Sequence, residues 1–73
     1  MIKFALLGVG RIGRIHAANI ALNPKCSIEC IYDIDSNTAK KVADSFGGFV
    51  TSSPKEAIFN KNVDIVYICT STP

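Results

Sequence analysis

Three glycines at fixed offsets, Gly8-Val9-Gly10-Arg11-Ile12-Gly13, stand directly after the short, largely apolar run Lys3 to Leu7. A run of that length suits a strand buried on both faces. A glycine at its end lets the chain turn out sharply, because only glycine adopts positive φ without steric cost. Beyond the glycines, Ile12, Ile15 and Leu22 recur at helical spacing and Asn23-Pro24 supplies a stop, so Arg11 to Leu22 reads as a helix. A second strand, Cys26 to Tyr32, ends at an acidic residue, Asp33, about twenty residues past Gly13. Strand, glycine turn, helix, strand and acid in that order leave few folds open.

The rest of the chain continues the alternation. Asp35-Ser36-Asn37-Thr38 offers several helix-capping side chains, and Ala39, Val42, Ala43 and Phe46 then fall on one helix face. Gly47-Gly48 is expected to close that helix through a left-handed cap. Phe49-Val50 reads as a very short strand, and Ser53-Pro54-Lys55-Glu56 as a capping box with proline at the first helical position. The short helix it opens exits through Asn60-Lys61-Asn62, and Asp64 to Cys69 is a fourth strand candidate leading to Thr70-Ser71-Thr72-Pro73. The resulting β-α-β-α-β-α-β pattern predicts an α/β fold with a Rossmann-type parallel sheet in the strand order 3-2-1-4. With 73 residues the chain makes at most one domain, read here as the N-terminal part of an incomplete one.

Each part of the motif has a physical role in holding a dinucleotide. Gly8 makes the turn, Gly10 lets a pyrophosphate approach the backbone, and Gly13 lets the helix pack closely against the sheet. The helix start, with Gly8, Gly10, Arg11, Ile12 and Gly13 around it, presents free N–H groups and the positive end of the helix dipole to the phosphates. Asp33 is placed to accept hydrogen bonds from the adenosine ribose hydroxyls. A 2′-phosphate there would face a carboxylate, which favours NAD over NADP: two unit charges at about 4 Å and an effective dielectric near 20 interact by roughly 4 kcal/mol. Arg11 partly offsets that repulsion. Asp35 reads as a helix cap, and His16 as a helix-surface or packing residue. Thr70, Ser71 and Pro73 follow the fourth strand at the topological switch point, where they are expected to contact the cofactor.

Composition narrows the remaining classes. Hydrophobic residues make up 48% and charged ones 19%, the balance of a packed domain rather than a disordered segment. A net charge of +2 with scattered basic residues implies no nucleic-acid partner. No run approaches the roughly 20 apolar residues that span a bilayer. The N-terminus lacks a signal-peptide pattern, so no membrane partner is expected and the location is expected to be cytoplasmic. Cys26, Cys30 and Cys69 have no paired spacing and lie in apolar runs, which predicts buried free thiols and no metal site.

The sequence resembles the N-terminal domain of the glucose-fructose oxidoreductase, inositol dehydrogenase and rhizopine-catabolism family (Gfo/Idh/MocA). The resemblance runs through Gly8 to Gly13, His16-Ala17, Tyr32-Asp33-Ile34-Asp35, the Ala39 to Phe46 helix, and Val63-Asp64-Ile65-Val66 into Thr70-Ser71-Thr72-Pro73. A shorter similarity to glyceraldehyde-3-phosphate dehydrogenase ends at the first helix. The family resemblance implies an NAD(P)-dependent oxidoreductase acting on a sugar or cyclitol hydroxyl, with inositol 2-dehydrogenases the nearest group. It also implies that the catalytic lysine and the proton-transfer pair lie beyond Pro73, so no catalytic residue is assigned within the chain. The dinucleotide is then the partner expected here, and a sugar or polyol substrate belongs only to a full-length parent. Two other readings stay open: a stand-alone or truncated nucleotide-binding module, and a fragment that self-associates through the exposed edge of the fourth strand.

Overall fold

A computed structural model describes residues 1–69. Its elements are β1 (Ile2–Leu7), α1 (Arg11–Leu22), β2 (Cys26–Tyr32), α2 (Ser36–Phe46), β3 (Phe49–Val50), α3 (Pro54–Ile58) and β4 (Ile65–Ile68). All strand pairings are parallel, and the sheet order β3-β2-β1-β4 is the one the alternating pattern predicts. β1 is central and paired on both sides, and its Ala5, Leu6 and Leu7 are buried.

The two faces of the sheet carry separate cores. On one, Leu6, Ile28 and Ile31 meet Ala17 and Ile20 of α1, Ala39 and Val42 of α2, and the loop residue Val9. On the other, Ala5, Leu7 and Cys30 meet Ala57 of α3, with Tyr32, Val63 and Val66 packed at the margin. A bulge in β2 sorts its side chains between them. Phe4 pairs with Ile28 and Ala5 with Cys30, so Glu29 is the additional residue. That insertion shifts the two-residue alternation, placing Ile28 and Ile31 together on the α1/α2 face while Cys30 goes to the other.

Helix ends follow local chemistry. The Asp35 carboxylate caps α2, with Oδ1 accepting from the Asn37 N–H at 3.0 Å and the Thr38 N–H at 3.4 Å. Ser53 Oγ caps α3 by accepting from the Glu56 N–H at 3.3 Å. The capping box is only half formed, because the Glu56 carboxylate turns to the backbone N–H and hydroxyl of Ser52 instead of back to Ser53. Gly47 and Gly48 both have positive φ, at 98° and 88°. Gly47 is not the expected left-handed cap, however, since its ψ of 177° is the extended, glycine-only conformation. Its N–H still closes the helix on the Ala43 carbonyl at 2.8 Å.

α1 buries a different face from the one its large residues suggest. Ile12, Ile15 and Leu22 are exposed, and the buried positions are Gly13, Ala17 and Ile20. Small residues at 13 and 17 bring the helix axis close to the sheet, and that close approach decides which stripe faces inward. At the far edge, Asp64 fastens β4 to β1 twice: its N–H donates to the Lys3 carbonyl at 2.8 Å and its Oδ2 accepts from the Lys3 N–H at 2.9 Å. β4 is nonetheless thinly covered, with Ile65, Tyr67 and Ile68 exposed. All three thiols are free, but only Cys30 is fully buried, while Cys26 and Cys69 are half-buried. Burial pushes the Cys30 thiol pKa up, with a smaller push from the Glu29 charge, and burial does the same at Cys69.

Gly48 ties the bulge to the turn after α2. A Cβ there would lie 2.9 Å from Ile28 Cγ2 and 3.1 Å from the Ile28 carbonyl oxygen, at a φ that side chains resist. Gly48→Ala is therefore expected to destabilise the fold by about 2 kcal/mol, read as a lower urea midpoint at unchanged m-value. An unchanged midpoint would show that the bulge does not need this close approach.

Candidate functional site

The three glycines of the loop between β1 and α1 are there for three different reasons. Gly8 has φ 87° and hands its N–H to the Tyr32 carbonyl at 2.7 Å, which bends the chain off the end of β1 while holding it against β2. Gly13 is buried under that bend: a Cβ on it would overlap the Gly8 carbonyl oxygen and sit 3.2 Å from Cys69 Cβ. The close packing expected of Gly13 is thus packing against the loop itself and the residue after β4. Gly10 has neither constraint. Its φ of −66° and ψ of −156° suit any residue, and a Cβ would meet nothing within 4 Å. Among the described residues, none fills the space next to Gly10.

Gly10 is also the N-cap of α1, so this helix starts with no side-chain cap and no acidic residue in its first turn. The other two helices, α2 and α3, have theirs in Asp35 and Ser53. Uncapped N–H groups and the positive end of the helix dipole at an open space make a receptor for an anion. Val9, between the glycines, turns its side chain into the core and is 1% exposed, which anchors the loop from below.

Asp33 sits at the end of β2, across the loop. Its Oδ2 accepts the Val9 N–H at 2.7 Å and its Oδ1 accepts the Asp35 N–H at 2.9 Å. An ionised carboxylate offers about four lone-pair sites, so each oxygen keeps one free. The bond to Val9 is absent from the sequence reading, and no local pattern signals a contact between residues 24 positions apart.

Loop, β2 end and β4 end enclose an open cleft of about 900 Å³. Gly8, Gly10, Arg11, Ile12 and Asp33 all line it, while Gly13 lies behind Gly8. Ile12 is 64% exposed, so it belongs to the cleft wall and not to the core. Thr70, Ser71 and Pro73 lie outside the described residues. Sequence reasoning missed several lining residues: His16, Ile34, Pro54, Tyr67, Ile68 and Cys69. The His16 ring stacks on Tyr67 with centroids 4.6 Å apart, and the Tyr67 hydroxyl is 3.3 Å from each ring nitrogen. His16 is therefore a packing residue that also faces the cleft. Among the described residues no group of three or more His, Cys, Asp or Glu is placed to hold a metal, and no helix is long and apolar enough to cross a membrane.

Comparison with known proteins agrees with this geometry. The chain is 35% identical over 72 residues to the inositol 2-dehydrogenase of Rhizobium meliloti, covering 97% of this chain and 21% of that one. It spans about a fifth of the length of the curated relatives it matches. The crystal structure of a myo-inositol dehydrogenase from Corynebacterium glutamicum superposes with a TM-score of 0.89 at 35% identity, over 97% of this chain and 21% of that one. The structure of GenD2 from gentamicin A biosynthesis, in complex with NAD, does so with a TM-score of 0.88 at 28% identity, over 94% and 20%. Residues 2–73 match the family described as "Oxidoreductase family, NAD-binding Rossmann fold", and with the sheet order, the glycine loop and the cleft already in place, the chain belongs to that family, Gfo/Idh/MocA.

Proposed function

We propose that this chain is the adenosine- and pyrophosphate-binding N-terminal portion, residues 1–73, of a cytoplasmic NAD-dependent dehydrogenase that oxidises a sugar or cyclitol hydroxyl, as inositol 2-dehydrogenases do. The observation that carries the reading is the space next to Gly10 left open by the described residues, at the amide end of α1 and in the cleft that Asp33 also lines. In this reading Gly8, Gly10, Arg11, Ile12 and Gly13 surround the pyrophosphate, and backbone N–H groups and the helix dipole stabilise its charge. The free lone pairs of Asp33 accept the ribose hydroxyls. Thr70, Ser71 and Pro73 make further contacts toward the nicotinamide end. The bound cofactor supplies the chemistry, as acceptor of a hydride from the substrate carbon.

NAD is the cofactor favoured over NADP, because a 2′-phosphate would stand against the Asp33 carboxylate at a separation where repulsion is worth roughly 4 kcal/mol, reduced by Arg11. The chain contributes positioning only. The groups that take the hydroxyl proton and orient a sugar or polyol belong to a longer parent. No nucleic-acid or membrane partner is proposed. The outer edge of β4, an edge strand among the described residues with Ile65, Tyr67 and Ile68 exposed, is proposed to pair with a second copy when the chain stands alone.

Calorimetric titration tests the binding site. Wild type is expected to bind NAD at least tenfold more tightly than NADP, and Asp33→Ser to shrink that ratio. Gly10→Val should still fold, because its Cβ enters open space, with a melting temperature lowered by the loss of about 1 kcal/mol at a helix cap, yet weaken NAD by about tenfold or more. A wild type that prefers NADP would sink the role given to Asp33, and full NAD affinity in Gly10→Val would sink the site.

Two further outcomes are expected of the isolated chain. It should show no steady-state reduction of NAD with myo-inositol, and measurable turnover would place catalytic groups inside it. On size-exclusion chromatography at high concentration it should elute as a dimer, whereas a clean monomer would rule out pairing at the β4 edge.

A further inference from the structure

We infer that Asp33 is the positioning residue of the glycine loop as well as the ribose acceptor, so that a single carboxylate sets both ends of the adenosine diphosphate site. The inference rests on the dinucleotide reading above but draws on separate observations. Val9 lies between Gly8 and Gly10, the residues whose backbone is least restrained by their own side chains. Two contacts hold it: the side chain is 1% exposed in the α1/α2 core, and the N–H donates to Asp33 Oδ2 at 2.7 Å. That distance is in the range of charge-assisted N–H bonds to a carboxylate. The preceding amide, Gly8 N–H, donates to the Tyr32 carbonyl at 2.7 Å. Two consecutive loop amides are therefore held by two consecutive residues at the end of β2.

The carboxylate is itself held. Asp33 Oδ1 accepts the Asp35 N–H at 2.9 Å, and Asp35 is the residue whose side chain caps α2. Asp33 thus links the loop that opens α1 to the turn that opens α2. Asparagine is a poor replacement: the two amides reach different oxygens of Asp33, and asparagine presents a donor NH2 in place of one of them, so one N–H would face a donor. Glutamate keeps the charge but carries its oxygens one methylene further out.

A change at Asp33 should accordingly do more than alter recognition of the ribose. It should loosen Val9 and with it the N–H groups at Gly10, Arg11 and Ile12 that face the diphosphate. Cofactor preference then cannot be moved at this residue alone without weakening the dinucleotide as a whole.

Two measurements on the 73-residue chain test this. The first is amide hydrogen exchange at Val9, by NMR, in wild type and Asp33→Asn, with the Leu6 amide of β1 as an internal reference. Asp33→Asn is expected to speed Val9 exchange by about tenfold or more relative to Leu6. The second is calorimetric titration of both proteins with NAD and with an NAD analogue lacking the 2′ and 3′ hydroxyls of the adenosine ribose. Both ligands should bind several-fold more weakly to Asp33→Asn. If the analogue binds the two proteins equally, the carboxylate touches only the ribose and the proposal is overturned, as it is if Val9 exchange does not change. Should Asp33→Asn fail to fold, wild type still decides: a Val9 amide exchanging as fast as an unprotected loop amide overturns the latch, and protection equal to that of Gly8 supports it. Absence of binding by wild type to either nucleotide would count against the dinucleotide reading instead, while the exchange result would still judge the latch.

Discussion

The site depends on how closely α1 approaches the end of β1, and that distance is set by a missing side chain. With no Cβ at Gly13, the first turn of α1 seats against the Gly8 carbonyl and beside Cys69. Any larger residue would push the helix away from the sheet by about the width of a methyl group. Ala17 and Ile20 would lose their seats against Leu6, and Val9 would be drawn out of a pocket in which it is almost fully buried. Close packing of this kind is felt at the level of single methylenes. The same displacement would carry the amide end of α1 away from Asp33. Core packing and site geometry are therefore one constraint met at one contact.

The sheet is supported unevenly, and this shapes what the chain can do alone. One face is closed by two helices of twelve and eleven residues. Among the described residues the other has only the five-residue α3 and a smaller cluster around Ala5, Leu7, Cys30 and Ala57. Ile58 and Phe59 at the end of α3, and Ile65 and Ile68 along β4, remain exposed. A chain of this length buries only about 60% of its unfolded surface. The glycine loop is rooted in the larger of the two cores through Val9. The weak face leaves apolar surface of the kind that marks contact with further protein.

Much of this was legible in the sequence because its punctuation is local. Gly8 and Gly47-Gly48 end elements by adopting positive φ, Pro24 and Pro54 by fixing theirs, and Asp35 and Ser53 cap through amides two or three residues away. Strand order followed from alternation and glycine spacing. The features that escaped are long-range. The bulge at Glu29 makes no mark on composition, yet it decides which β2 side chains share a core. Ile12, Ile15 and Leu22 have the right spacing for a buried stripe, but the closeness permitted by Gly13 and Ala17 turns another stripe inward. The Asp33 bond to Val9 and the pairing of Tyr67 with His16 join residues 24 and 51 positions apart, so each depends on a sheet register that no local rule supplies.

The three helix starts show why the site lies where it does. An amide end left open at the surface is ordinarily stabilised by a side chain from its own segment, and α2 and α3 both follow that rule. In α1 the residue at that place is glycine, which costs the helix only a few tenths of a kcal/mol relative to a capping side chain and leaves the amides without a side-chain cap. The nearest carboxylate does not substitute for it. Asp33 is spent on Val9, one residue before the cap, where it fixes the loop without neutralising the helix end. The negative charge is thus held to the side of the open space and not within it. An incoming diphosphate meets the amides and the positive dipole directly, while a hydroxyl-bearing sugar beside it meets the free lone pairs of the carboxylate. That division of labour, anion to the helix and diol to the acid, follows from placing glycine rather than serine, threonine or aspartate at residue 10.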